Sequence, residues 1–249
     1  MRIFAISDLH LSLTAPYCTA DTASPQLAKP MSVFGAGWHD FFQRLCSNWC
    51  AQVTAEDAVL LAGDLSWAMT LEEARYDLAF LASLPGRKWI VKGNHDFWWS
   101  SYARLCAALP PSVQALQHGA ARLGGWAVCG TRGWLLPGTR EFCAAEDEKI
   151  YRRELLRLEM ALVEAQRLAL PIIAMLHFPP LTQDGAASGF SELLERYGVR
   201  LCIYGHIHGD KAPAFEGELR GVRYFNTSAD RLGLTPLLLT ESADMPDGK

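Results

Sequence analysis

The sequence has no apolar run long enough to cross a membrane, and its first hydrophobic stretch, residues 3–6, is cut short by Ser7-Asp8. That stretch is also too short for the apolar core of a signal peptide. Pairing signals among the cysteines are missing as well. The seven cysteines are odd in number, and none stands in a C-x-x-C pair or at finger-like spacing, which suits reduced thiols rather than a disulfide frame. Positive charge is not in excess either: 23 Lys and Arg against 27 Asp and Glu leave a net charge of −4, which argues against broad nucleic-acid binding. No internal repeat and no linker stands out. The expectation is a cytoplasmic protein without a membrane span, folded as one domain over residues 1–249, in which any anionic ligand is held by a local field.

What the chain does have is a series of short apolar runs, each ending in polar residues. Residues 3–6 deliver Asp8 and His10; residues 59–62 deliver Gly63-Asp64; Trp89-Ile90-Val91 delivers Gly93-Asn94-His95-Asp96; residues 172–176 deliver His177; and residues 201–204 deliver Gly205-His206-Ile207-His208. Runs of this length and composition read as buried strands. Between them lie helix patterns: Trp38 to Ala51 with one apolar face, a capping-box start at Thr70-Leu71-Glu72-Glu73 running to Ser83, residues 100–109, residues 146–170, and a short helix near 190–197. Residues 112–136 read as hairpin strands separated by glycines, and strand-like pieces recur at 221–225 and 237–240. Residues 14–37 form a long loop that could act as a lid, and residues 242–249 are expected to fray.

In open α/β sheets ligands bind at the carboxyl ends of strands, so the five polar clusters are predicted to gather on one edge. Five of the seven histidines then meet there, leaving His39 and His118 outside. Imidazoles with a few carboxylate and amide oxygens suit divalent transition metals such as Mn, Fe, Zn or Co better than Ca²⁺ or Mg²⁺. The residue count exceeds one open site and fits two ions, which at roughly 3.5–4 Å apart clamp both the attacking and leaving oxygens of a phosphate. Two dications less Asp8 and Asp64, with a bridging hydroxide, still leave positive charge to attract a phosphate ester.

D-x-H, G-D, G-N-H-D, a single His and then G-H-x-H, in this order over Asp8 to His208, resembles the calcineurin-like metallophosphoesterase superfamily. The resemblance implies a four-layer αββα sandwich, two mixed β-sheets flanked by helices, with a dinuclear site at the strand C-terminal ends. It implies that Asp8, His10, Asp64 and His208 hold one ion while Asp64, Asn94, His177 and His206 hold the other. His95 would protonate the leaving alkoxide, oriented by a neighbouring carboxylate such as Asp96, and a metal-bridging hydroxide would attack. The substrate would be a small phosphomonoester or phosphodiester, with a nucleotide or nucleotide-lipid pyrophosphatase as the alternative and a non-catalytic scaffold as the rival from another class.

Two departures bear on specificity. Many relatives carry an acidic residue three positions after the Asp64 equivalent, where this chain has Trp67, and the G-D-x-V-D-R-G and G-N-H-E patterns of protein Ser/Thr phosphatases are absent. Trp67, Phe97, Trp98, Trp99 and Trp134 lie near the motifs as core packing or as an aromatic wall. Arg132, in a glycine-flanked loop, is the candidate guanidinium for an anionic group.

Overall fold

The computed structural model describes residues 1–18, 20, 24–209 and 211–241. The tail expected to fray, 242–249, lies outside the described residues, as do four positions of the expected lid loop, 19 and 21–23.

Two mixed sheets stack face to face. The first contains β1 (Ile3–Ala5), β2 (Ala58–Leu61), β3 (Arg87–Ile90), β4 (Val113–Ala115) and β11 (Leu237–Thr240), in the order β11-β1-β2-β3-β4. The second contains β5 (Ala120–Leu123), β6 (Trp126–Thr131), β7 (Ile172–Leu176), β8 (Val199–Tyr204), β9 (Gly217–Leu219) and β10 (Val222–Asn226), in the order β5-β6-β7-β8-β10-β9. The central strands of each sheet are parallel; the first sheet has an antiparallel strand at one margin only, β11, while the second has one at each, β5 and β9.

The helices α1 (Phe41–Gln52), α2 (Arg75–Ser83) and α3 (Tyr102–Ala108) connect strands of the first sheet. Helices α4 (Ala144–Gln166) and α5 (Gly189–Arg196) connect those of the second. Alternation along each strand sorts the core into three parts, because successive side chains point to opposite faces. Ile3, Ala5, Ala58, Leu60, Trp89, Ile173, Met175 and Ile203 fill the layer between the sheets. Phe4, Ile6, Val59, Leu61 and Ile90 face the other way, against Leu45, Trp49 and Phe80 of the helices. Ile172, Ala174, Leu176 and Cys202 likewise meet Leu158, Leu162, Phe190 and Leu194. Both faces of the central strands are covered, which is why they read as continuous apolar runs rather than alternating ones.

Register then levels the strand ends. Ala5 pairs with Leu60 and Leu61 with Ile90 in the first sheet. Thr131 pairs with Leu176, Met175 with Ile203, and Asn226 with Tyr204 in the second. The residues that follow these strands therefore emerge side by side on one rim.

Three local readings differ from expectation. The helix placed at Thr70 becomes regular only at Arg75, because half of the capping box is used differently: Thr70 Oγ1 accepts from the Glu73 N–H, but the Glu73 carboxylate accepts from Met69 rather than from Thr70. Of the hairpin strands expected over 112–136, only β5 and β6 pair with each other; β4 runs parallel to β3 in the first sheet. Trp38 belongs to a 3-10 turn ahead of α1, whose regular part starts at Phe41.

Candidate metal centre

Four of the motif residues sit in strained backbone. Asp8, His10, Asp64 and His206 have φ of 57°, 47°, 51° and 70°, a left-handed conformation that costs a non-glycine residue roughly 1–2 kcal/mol. The strain turns each chain sharply out of its strand and aims the side chain across the rim. The glycines beside them serve close approach. A Cβ on Gly93 would stand 2.2 Å from the Asp64 nitrogen, and one on Gly205 would stand 2.6 Å from Ser7 Oγ. Gly93 takes no positive φ; what it supplies is room for the Asp64 loop.

The side chains converge as two overlapping groups. Among the described residues, Asp8, His10 and His208 bring ligand atoms within 4.8 Å of one another, and so do Asp8, Asp64 and His177. Asp64 Oδ2 lies 3.8 Å from His10 Nε2 and 3.4 Å from His177 Nε2, so one oxygen faces both groups. Its partner Oδ1 accepts the His95 backbone N–H at 2.7 Å, which holds the carboxylate in place. Asn94 Oδ1 meets His177 Nε2 at 2.6 Å and His206 Nδ1 at 3.0 Å. His10 Nε2 and His208 Nε2 are 3.2 Å apart, while His10 Nδ1 is buried without a partner among the described residues.

This donor set fits cations. Burial, and then the neighbouring His208, His95 and His177, press the His10 imidazole down to about 2, and burial with His177 presses His206 down to about 3, so both rings present lone pairs rather than protons. Burial raises the Asp8 carboxyl against the pull of His177 and His208; burial and then Asp96 raise Asp64. Carboxylates that resist ionising beside imidazoles that resist protonation are both relieved by positive charge placed among them.

Further groups hold these side chains. His177 Nδ1 is 2.9 Å from the Ala62 carbonyl, which directs Nε2 into the cluster. Asp8 accepts from Ser7 Oγ at 2.6 Å, Ser228 Oγ at 3.0 Å and the His206 N–H at 3.0 Å. Asp230, which sequence reading missed, lies 3.1 Å from His208 Nδ1 and accepts the Gly209 N–H at 2.7 Å; burial lowers the His208 pKa, but Asp230 with Asp8 and Asp64 together raise it. No spacing rule marks Asp230, because it arrives on the turn after β10 from outside the motifs.

Asp96 corrects an expectation. It is fully buried and accepts from the N–H groups of Gly93, Asp64, Leu65 and Ser66 and from Trp98 Nε1, all within 3.2 Å. Both oxygens are therefore committed to knitting the Asp64 and Asn94 loops together, and among the described residues neither takes a proton from the His95 ring. His95 is instead framed by aromatic rings: Trp67 at 4.5 Å and His10 at 5.6 Å between centroids.

Trp67, in the position where an acidic residue was expected from relatives, lies stacked on His10 at 4.6 Å and carries the Lys29 ammonium 3.2 Å above its ring. Its Nε1 donates to Met31 Sδ at 3.4 Å. The described part of the expected lid thus rests on the His10 side of the cluster, with Trp38 6.5 Å from His10 and 6.0 Å from His208. Trp98 and Trp99 are buried core, and Phe97 is exposed. Trp134 donates to Asp147 at 2.9 Å and lines, with Phe178, Leu181, His206 and Phe215, an open and mainly apolar groove of about 620 Å³. Arg132 lies over the Trp134 ring at 4.2 Å but lines a different cavity. His39 and His118 are exposed and take no part.

Comparison with known proteins gives one decisive match. The profile of the family described as calcineurin-like phosphoesterase matches residues 1–210. No curated protein matches. Among solved structures, a protein of unknown function from Aquifex aeolicus is 15% identical, with 95% of this chain and 94% of that one covered at a TM-score of 0.48. A second structure is 14% identical, with 89% of each chain covered and a TM-score of 0.48.

Proposed function

The chain belongs to the calcineurin-like phosphoesterase family, and from that premise we propose that it hydrolyses a small phosphomonoester or phosphodiester at a two-metal centre. Asp8, His10, Asp64 and His208 would hold one divalent transition-metal ion, and Asp64, Asn94, His177 and His206 the other. The observation that carries this reading is the single Asp64 oxygen that faces both His10 and His177. When bound, two such ions would supply Lewis acidity to the phosphoryl group and acidify an attacking water.

The residues of the chain do the rest. The Asp64 Oδ1 bond to the His95 backbone fixes the distance between the bridging carboxylate and the proton donor. His95 is half-buried, and among the described residues no hydrogen bond occupies its ring nitrogens; burial, then His177 and Lys29, lower its pKa, so a proton it carries is readily given up to the leaving oxygen. Trp67 excludes water behind the ring and keeps it upright against His10. Asp96 acts through the loops it ties rather than on the substrate. The apolar groove beside His206 favours leaving groups with a hydrophobic portion, which is the observation behind a second reading as a nucleotide or nucleotide-lipid pyrophosphatase.

The test is turnover of p-nitrophenyl phosphate and its bis ester after reconstitution with Mn²⁺, Fe²⁺, Zn²⁺ or Co²⁺. Two bound ions with hydrolysis of either ester support the enzyme reading; two bound ions without turnover of either, under every metal, would favour a scaffold. His95→Ala is expected to retain both ions and to lose about 10²–10⁴-fold in rate, most for poor leaving groups. A metal site emptied by that substitution would reassign His95 to the shell.

A further inference from the structure

Arg132 opens onto a cavity of about 280 Å³ whose walls include Lys92, Gln117, Arg153, Glu154 and Arg157. Glu154 is fully buried at its centre. Its Oε2 accepts from the Thr131 hydroxyl at 2.6 Å and its Oε1 accepts from Arg157 Nη1 at 2.7 Å. Arg153 Nε at 3.5 Å and Arg132 Nη2 at 3.7 Å are held by attraction to the same oxygen without good hydrogen bonds. One carboxylate thus orders three guanidinium groups and leaves most of their N–H donors unspent.

A structural ion network balances its charges, and this one does not. Four cations, Lys92, Arg132, Arg153 and Arg157, line the cavity with one carboxylate, and although Asp96 acts on Lys92 and Asp64 on Arg132 from outside it, positive charge still exceeds negative there in a chain whose net charge is −4. Their mutual repulsion is costly in a half-buried cavity. Lys92 lines the same cavity, and its ammonium makes no hydrogen bond among the described residues. Gln117 adds a buried Oε1 without a partner, which a protonated phosphate oxygen could satisfy directly. The Trp134 ring covers one face of the Arg132 guanidinium and leaves its N–H edge clear of the ring, the edge by which arginine grips a phosphate with two N–H groups.

We propose that this pocket is an oxyanion site, separate from the metal centre and occupied by a tetrahedral anion bridging Lys92, Arg132 and Arg153. The anion is either the second phosphoryl group of the substrate or free inorganic phosphate. The inference deepens the phosphoesterase reading, on which its substrate arm rests. The pocket shares walls with the centre: Lys92 precedes Gly93-Asn94, and the Arg132 carbonyl accepts the N–H groups of His177 and Phe178, both at 3.0 Å.

The experiment is a crystal of the metal-loaded protein soaked in tungstate, with tungsten located by anomalous scattering. The expected result is tungsten between Lys92 and Arg132 in addition to any at the metals, and its loss from that pocket in both Lys92→Gln and Arg153→Gln. Competition against p-nitrophenyl phosphate then separates the sources. If a second phosphoryl group is the ligand, the ratio of inhibition constants for fructose 1,6-bisphosphate and fructose 6-phosphate rises at least tenfold in Lys92→Gln; if free phosphate is the ligand, the ratio holds while the pocket tungsten is still lost. Tungsten at the metals alone, or pocket tungsten indifferent to both substitutions, overturns the proposal and leaves the hydrolytic reading standing. Failure of hydrolysis leaves the tungsten result unaffected.

Discussion

Asp96 shows how much of this site lies beneath its ligands. A buried carboxylate that accepts five N–H groups joins loops that follow two neighbouring strands, and removing it strands those donors in a dry interior. Asp96→Ala is expected to cost about 3 kcal/mol or more in urea unfolding and to weaken metal binding at the same time. Asp96→Asn, which keeps one acceptor oxygen, should fall between it and the wild type. Loss of rate with stability and metal content intact would point instead to a direct role on His95. That these polar side chains gather on one rim was legible, because each follows an apolar run. The duty of Asp96 was not, since hydrogen bonds to backbone groups some thirty positions away leave no periodic trace. Asp230 escaped for the same reason, and Trp67 could be marked as a departure without its stacking on His10 being foreseeable.

At the scale of elements, α2 does more than cross between strands. Its Asp77 accepts from the Leu13 N–H at 2.8 Å and from the Ser66 hydroxyl, latching the chain after His10 to the chain after Asp64. Burial pushes this carboxyl from 3.8 up to about 6, against the pull of those two bonds. A carboxyl raised in the folded state binds more protons there than in the unfolded chain, so its contribution to stability falls as pH rises from about 4 to 6 and is least favourable above that window. Asp77→Asn should flatten this part of the stability-against-pH curve, read as urea midpoints between pH 4 and 7, whereas an unchanged slope would place the titration elsewhere. Gly93→Ala is a packing test at the same scale. The added methyl has no room beside Asp64, so the β2 and β3 loops must part, with a loss of about 1–3 kcal/mol and weakened metal binding. The strands were readable from their apolar runs, and the helix starts less so: the Thr70 signal was present, but Glu73 spends its carboxylate on Met69.

For the whole molecule, two sheets of levelled strand ends place candidate ligands from both halves of the sequence on one rim. The first sheet carries Asp8, Asp64 and Asn94, and the second His177, His206 and His208. The layered α/β class and the gathering of motifs followed from where the apolar runs end. The division into sheets did not, because β4 and the short β9 pair by contacts that neither their length nor their pattern announces. Since the ligands span both sheets, metal binding is linked to folding: ions at one hundred times their dissociation constant should add about 2.7 kcal/mol per site and raise the melting temperature by several degrees. That rise should be largely lost in Asp64→Ala. The most direct test of the central claim is metal content per chain at equilibrium dialysis against Mn²⁺. The account predicts a plateau of two ions for the wild type, about one for His177→Ala, and fewer than one for Asp64→Ala, whose carboxylate faces both groups; a wild-type plateau of one ion or none, or an Asp64→Ala chain that still holds two, would contradict it.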